Sequence, residues 1–83
     1  MPIKVSGIDK DGNYFSTSAE TVNGSTDGMG LLLDRDLYPY TALVILIPRG
    51  QCVLQLQTEV RHITPFDSSK KLIGVKFRKA AVV

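Results

Sequence analysis

The side chains best placed to hold a ligand lie in Asn23-Gly24-Ser25-Thr26-Asp27-Gly28, a polar, glycine-punctuated turn between two apolar runs. Amide and hydroxyl groups this short favour turns, and on residue type alone Asn23 and Ser25 are expected to hydrogen-bond nearby backbone. Asn23-Gly24-Ser25 also spells an N-glycosylation acceptor, which has no meaning in a cytoplasmic chain. A second candidate is Asp9-Lys10-Asp11-Gly12-Asn13 with Glu20, which puts acidic or amide residues at positions 1, 3, 5 and 12 of an EF-hand loop. Tyr14 stands where that loop needs glycine, the glycine falls at position 4, and β-type sequence flanks it, so no metal site is expected. His62, the sole histidine, falls on the inward face of an alternating strand with no nucleophile or paired carboxylate fixed beside it. No catalytic residue is therefore assigned, and the chain is not expected to be an enzyme. Cys52 lies in the same alternating strand and reads as a buried, inert thiol.

These residues must be positioned by one small domain, because 83 residues have surface enough for a single core. A hydrophobic fraction of 43% lets the chain fold alone, with an expected stability of about 4–8 kcal/mol. The longest apolar run, Ala42 to Ile47, is six residues, far short of the ~20 that a membrane-spanning helix needs. Met1-Pro2-Ile3-Lys4-Val5 has neither the apolar region nor the cleavage site of a secretory signal, and a lone cysteine fits a reducing cytoplasm. The net charge of +2 says little about partners, although residues 61 to 79 carry six basic side chains against Asp67 alone. A solvated strand face accounts for that bias, and no nucleic-acid partner is expected.

The pattern is all-β. Turn signals recur about every ten residues, and no window carries an apolar stripe of helical period. The expected strands are Ile3 to Ile8, Tyr14 to Val22, Met29 to Leu33, Thr41 to Ile47, a fifth through Leu54 to His62, and Lys71 to Arg78. Asp9 to Asn13 and Pro48-Arg49-Gly50 supply hairpin turns, and Asp34 to Tyr40 is a proline-broken connector that should cross the barrel end. The fourth strand alternates little, which suggests burial on both faces or a place in the tightest part of the barrel. The fifth alternates clearly, with Leu54, Leu56, Thr58, Val60 and His62 on one face and Gln55, Gln57, Glu59 and Arg61 on the other. In the sixth, Ile73, Val75 and Phe77 point inward and Lys76 and Arg78 outward. Six antiparallel strands favour closure into a barrel, which removes exposed edges, and Ala80 to Val83 is left as a helix stub or unpaired tail.

In order and spacing, these elements resemble the PilZ family of cyclic di-GMP receptor domains, from about Gly12 to Phe77. Asn23-x-Ser25-x-x-Gly28 matches the family's Asp/Asn-x-Ser-x-x-Gly element in type and in its place between two strands. Glu59-Val60-Arg61 and Leu72-Ile73-Gly74-Val75-Lys76-Phe77 are similar to the fifth strand and the closing strand. The resemblance implies a split β-barrel in which Asn23 and Ser25 hydrogen-bond a guanine edge or the ribose-phosphate, while Gly28 lets the backbone approach the nucleotide. Short side chains on a rigid turn suit that task, since a purine edge presents donors and acceptors in fixed directions.

The family's other half is an Arg-x-x-x-Arg segment just before the first barrel strand, whose guanidinium forks grip phosphate and stack on guanine. Here only Lys4 and Lys10 are basic before the motif, and the first arginine, Arg35, comes after it. Either the arginines belong to residues before Met1 in a longer polypeptide, or this is a degenerate member. The expectation is that the chain as given binds cyclic di-GMP weakly or not at all. No other cofactor is implied, and a protein partner or neighbouring domain is, because the family acts through partner contacts. The alternative is a barrel that binds no nucleotide and contacts a protein through Tyr38-Pro39-Tyr40 and the basic sixth strand.

Overall fold

The computed structural model describes residues 2–83. Six strands make up the fold: β1 (Pro2–Ile8), β2 (Tyr14–Gly24), β3 (Gly28–Leu33), β4 (Ala42–Arg49), β5 (Cys52–Pro65) and β6 (Lys71–Val82). All pairs are antiparallel and close into a barrel in the order β1-β2-β3-β6-β5-β4, with no helix among the described residues. β3 and β4 lie on opposite sides of the ring, so residues 34–41 cross the barrel end as expected. Leu37, only 2% exposed, plugs that end from the connector. Lys10 N–H donates to the Asp36 carbonyl at 2.8 Å and Tyr40 N–H to that of Val60 at 2.7 Å, which ties the connector to its neighbours.

Alternation fills the interior. Ile3, Val5, Phe15, Ala19, Leu31, Leu33, Leu43, Ile45, Ile47, Leu56, Val60, Ile73 and Val75 are buried together, with Met29, Leu54, Ile63 and Phe77 packed against them. Thr58 joins them because its hydroxyl donates to the Leu43 carbonyl at 2.9 Å, which satisfies a polar group that burial would otherwise penalise. β4 also alternates: Leu43, Ile45 and Ile47 point inward while Val44 and Leu46 are half-buried on the outside, so it is not buried on both faces.

Several expectations need correction. Ala80 to Val82 are neither helix nor free tail, since they extend β6 and pair with Leu56 to Leu54 on β5. Cys52 is exposed, because its pairing with Arg49 places it at the β4–β5 turn, beyond the end of the core that parity alone would have it join. Pro48 and Arg49 remain in the β4 ladder, and the chain reverses at Gly50, whose φ is 60°. His62 is exposed and faces outward. The cause is a bulge at Arg61: Val60 pairs with Val75 but His62 with Gly74, so the extra residue reverses the inward-outward phase and Ile63 turns to the core.

Two carboxylates hold the end of the barrel that Leu37 closes. The Lys71 ammonium hydrogen-bonds Asp36 and, by that bond and its charge, holds the carboxyl below its ordinary value, with Lys10 adding to the effect. Asp67 is lowered by the backbone N–H groups of Ser69 and Lys70, each 2.8 Å from its Oδ1, and by the Ser69 hydroxyl. A lowered folded-state pKa contributes stability above the unfolded value of about 3.9, and that contribution is lost as pH falls through the folded value. The urea midpoint is therefore expected to drop as pH falls below about 4, and to drop less in an Asp36→Asn/Asp67→Asn double variant. Equal drops in the two proteins would remove these carboxyls as a source of acid sensitivity.

Candidate functional site

A second bulge, at Val22 on β2, faces the Arg61 bulge across two intervening strands. Thr21 pairs with Leu31, but Asn23 pairs with Gly30, so Asn23 turns outward where strict alternation would turn it in. Gly30 pairs with Gly74 on β6, and Gly74 with His62 on β5. A single transverse row thus runs Asn23, Gly30, Gly74, His62 on the outer wall of the barrel. Because the two central residues have no side chain, the row is a trough with a glycine floor, an amide wall and an imidazole wall.

The trough has a volume of about 360 Å³, and Asn23, Ser25 and Gly28, the three residues singled out from sequence, all line it. Small-molecule pockets run from about 300 to 1,000 Å³, so the space suits one flat ring and part of its substituent rather than a whole dinucleotide. Leu72 and Thr64 bound the side toward the Leu37 end, and the Ser25 turn bounds the other. Pro2, the first residue of β1, pairs with Glu20 only three positions before Asn23, so the start of β1 lies at the same barrel end as the turn.

The polar groups of the trough differ in how far the fold has used them. Gly30 N–H donates to Asn23 Oδ1 at 2.9 Å, and only the carbonyl oxygen of an amide can accept. The orientation of Asn23 is thereby set, and its NH₂ is presented as a donor. Ser25 N–H donates to the Gly28 carbonyl at 2.9 Å, while the Ser25 hydroxyl makes only long contacts, to the Gly28 carbonyl at 3.4 Å and from Asp27 N–H at 3.3 Å. That hydroxyl is weakly held and available.

Gly28 lines the trough and is also required by the packing of β6. A Cβ built on it would lie 2.1 Å from the Val75 carbonyl oxygen, so the close approach that excludes a side chain is made by β6 backbone. Phe77 N–H donates to the Asp27 carbonyl at 2.7 Å, fixing the turn against β6 there. At Gly30, the Cβ would meet the Asn23 Oδ1 at 2.7 Å, so this glycine keeps room for the Asn23 amide.

Sequence reasoning missed His62, Thr64, Gly30, Leu72 and Gly74 as lining residues. The signal for the glycines was present, since two of them sit mid-strand where glycine weakens a sheet and marks a close approach. Lys76, exposed and paired with Gly28, is the basic residue of β6 nearest the turn in register. Arg61 is engaged elsewhere, 2.8 Å from Glu59 and stacked 5.5 Å from the centre of the Tyr40 ring. Asp9 Oδ1, the first position of the calcium-like sequence, accepts from the N–H groups of Asp11 and Asn13 and so stabilises its own hairpin. Compared with known proteins, the chain matches no protein-family model, no curated protein and no solved structure.

Proposed function

We propose that this barrel is a PilZ-like cyclic di-GMP-signalling domain that seats one guanine in the glycine-floored trough and, by itself, holds the nucleotide weakly. The observation that carries the reading is the transverse row: an Asn23 amide oriented to present its NH₂ and an available Ser25 hydroxyl beside a flat floor the width of two strands. The Asn23 NH₂ finds two acceptors on the major-groove edge of guanine, N7 and O6, but only N7 on that of adenine, where the N6 amine meets it donor to donor. The weakness comes from charge, because the trough walls carry no arginine and Lys76 offers a point charge rather than a planar fork.

Calorimetry and NMR titration test this together. Cyclic di-GMP is expected to bind with an affinity weaker than about 100 μM and to be preferred to cyclic di-AMP. Ser25→Ala is expected to weaken binding about ten-fold, the worth of one hydrogen bond, while changing stability by less than about 0.5 kcal/mol. Low-micromolar binding by these 83 residues, abolished by Ser25→Ala, would show that the missing arginines are not needed. Equal affinity for the two cyclic dinucleotides would remove the guanine assignment.

A second reading is favoured by the opposite end of the barrel. Ile8, all three tyrosines and Phe66 are exposed there, with Lys10 stacked over Tyr38 and Arg61 over Tyr40. Tyr40 is held at a φ of 69°, unusual outside glycine, by connector hydrogen bonds on either side. Aromatic and arginine groups on a rigid backbone are the usual anchors of protein interfaces. A barrel that works only through this rim would leave the trough signals unmoved by any nucleotide.

A further inference from the structure

The β5 side of the trough carries polar groups that the fold does not use. A Cβ at Gly74 would lie 3.4 Å from His62 Cβ, 3.5 Å from Cδ2 and 3.8 Å from Cγ, so the imidazole leans along the glycine with its carbon edge. Neither ring nitrogen of His62 has a hydrogen-bond partner among the described residues, and the same is true of the Thr64 hydroxyl. His62 and Thr64 are on one face, separated by the inward Ile63, because the Arg61 bulge has reset the phase of the strand. Both residues line the trough opposite Asn23 and Ser25.

We propose that His62 and Thr64 form the second wall of the base seat, accepting from or donating to the edge of a purine that lies flat over Gly30 and Gly74. The proposal rests on the nucleotide reading of the same trough. With O6 and N7 directed at the Asn23 amide, the opposite edge of guanine brings its exocyclic amine and N3 toward β5. An imidazole nitrogen and a hydroxyl can each accept or donate, which suits an edge carrying both kinds of group. Leu72 bounds the floor with an apolar contact, and the flat peptide planes of two cross-strand glycines allow a ring to approach where any side chain would hold it off. The competing role for His62 is purely structural, an aromatic ring covering a cross-strand glycine. His62→Phe separates the two, since it keeps a ring beside Gly74 and removes the nitrogens.

The test is a titration of the ¹⁵N-labelled chain with cyclic di-GMP up to millimolar concentration, monitored by backbone amide shifts, for the wild type, His62→Phe and Thr64→Val. The amides of Gly30, Gly74, His62 and Thr64 are expected to move along with those of residues 23–28. Each variant is expected to melt within a few degrees of the wild type and to bind about ten-fold more weakly, the change expected from one lost hydrogen bond. Shifts confined to residues 23–28, or variants that bind like the wild type, would overturn the proposal and leave the nucleotide reading standing. No shifts anywhere at millimolar ligand would overturn both.

Discussion

Gly28→Ala is expected to cost the barrel about 3 kcal/mol or more, a large part of the about 4–8 kcal/mol available to a domain of this size. The added carbon would sit 2.1 Å from the Val75 carbonyl oxygen, an impossible separation, and the offending atom is main chain. Relief therefore requires β3 and β6 to part, which loosens the Gly28–Lys76 pairing and the Phe77–Asp27 hydrogen bond together. Gly24, four residues earlier in the same turn, supplies the control: a Cβ there meets nothing within 4 Å, and Gly24→Ala should change stability by less than about 0.5 kcal/mol. Urea denaturation of the two variants measures the difference directly. Similar midpoints would mean that β6 does not press on the turn at Gly28. Loss of ligand binding in a Gly28 variant would then report loss of fold, so Ser25 is the better probe of the ligand site.

Joining an Arg-x-x-x-Arg segment ahead of Pro2 is expected to raise the affinity for cyclic di-GMP by a factor of about 10² to 10⁴. Charge-assisted hydrogen bonds contribute about 1.5–3 kcal/mol each, and one such net gain from each of the two guanidinium groups accounts for the range. Geometry permits it, because Pro2 pairs with Glu20 at the barrel end that carries the Asn23 to Gly28 turn. A Lys-x-x-x-Lys segment of equal charge should recover only a small part of the gain, since an ammonium neither forks nor stacks. The gain should also shrink with added salt, as screening requires. Calorimetry on the three proteins decides it, and an arginine extension that binds no better than the unextended chain would sink the two-part view of the site.

The barrel was legible in the sequence because its signal is local. Alternation from Leu54 to Val60, the apolar run from Ala42 to Ile47 and the Asp-Gly and Pro-Arg-Gly turns each declare a strand or its end without reference to anything distant. The position of Asn23, Ser25 and Gly28 beside one another came from the turn alone. Features that depend on a partner strand escaped. The bulges at Val22 and Arg61 exist because of register across the ring, and each reverses the facing of the residues beyond it. Period-two reading therefore carried His62 to the interior, when it stands outside opposite Asn23. The pairing of Ala80 to Val82 with β5 escaped for the same reason, since a short apolar tail has no pattern until a neighbouring strand supplies one.

Placing the trough on the outer wall has a consequence for how occupancy could be communicated. A closed ring of six antiparallel strands has every ladder engaged and no loose edge to slide, so filling a depression on its exterior leaves the interior undisturbed. Whatever sits there changes the shape and charge that the wall shows to its surroundings. If the trough takes a ligand, a partner resting against β2, β3, β6 or β5 would sense it by contact rather than by deformation of the barrel.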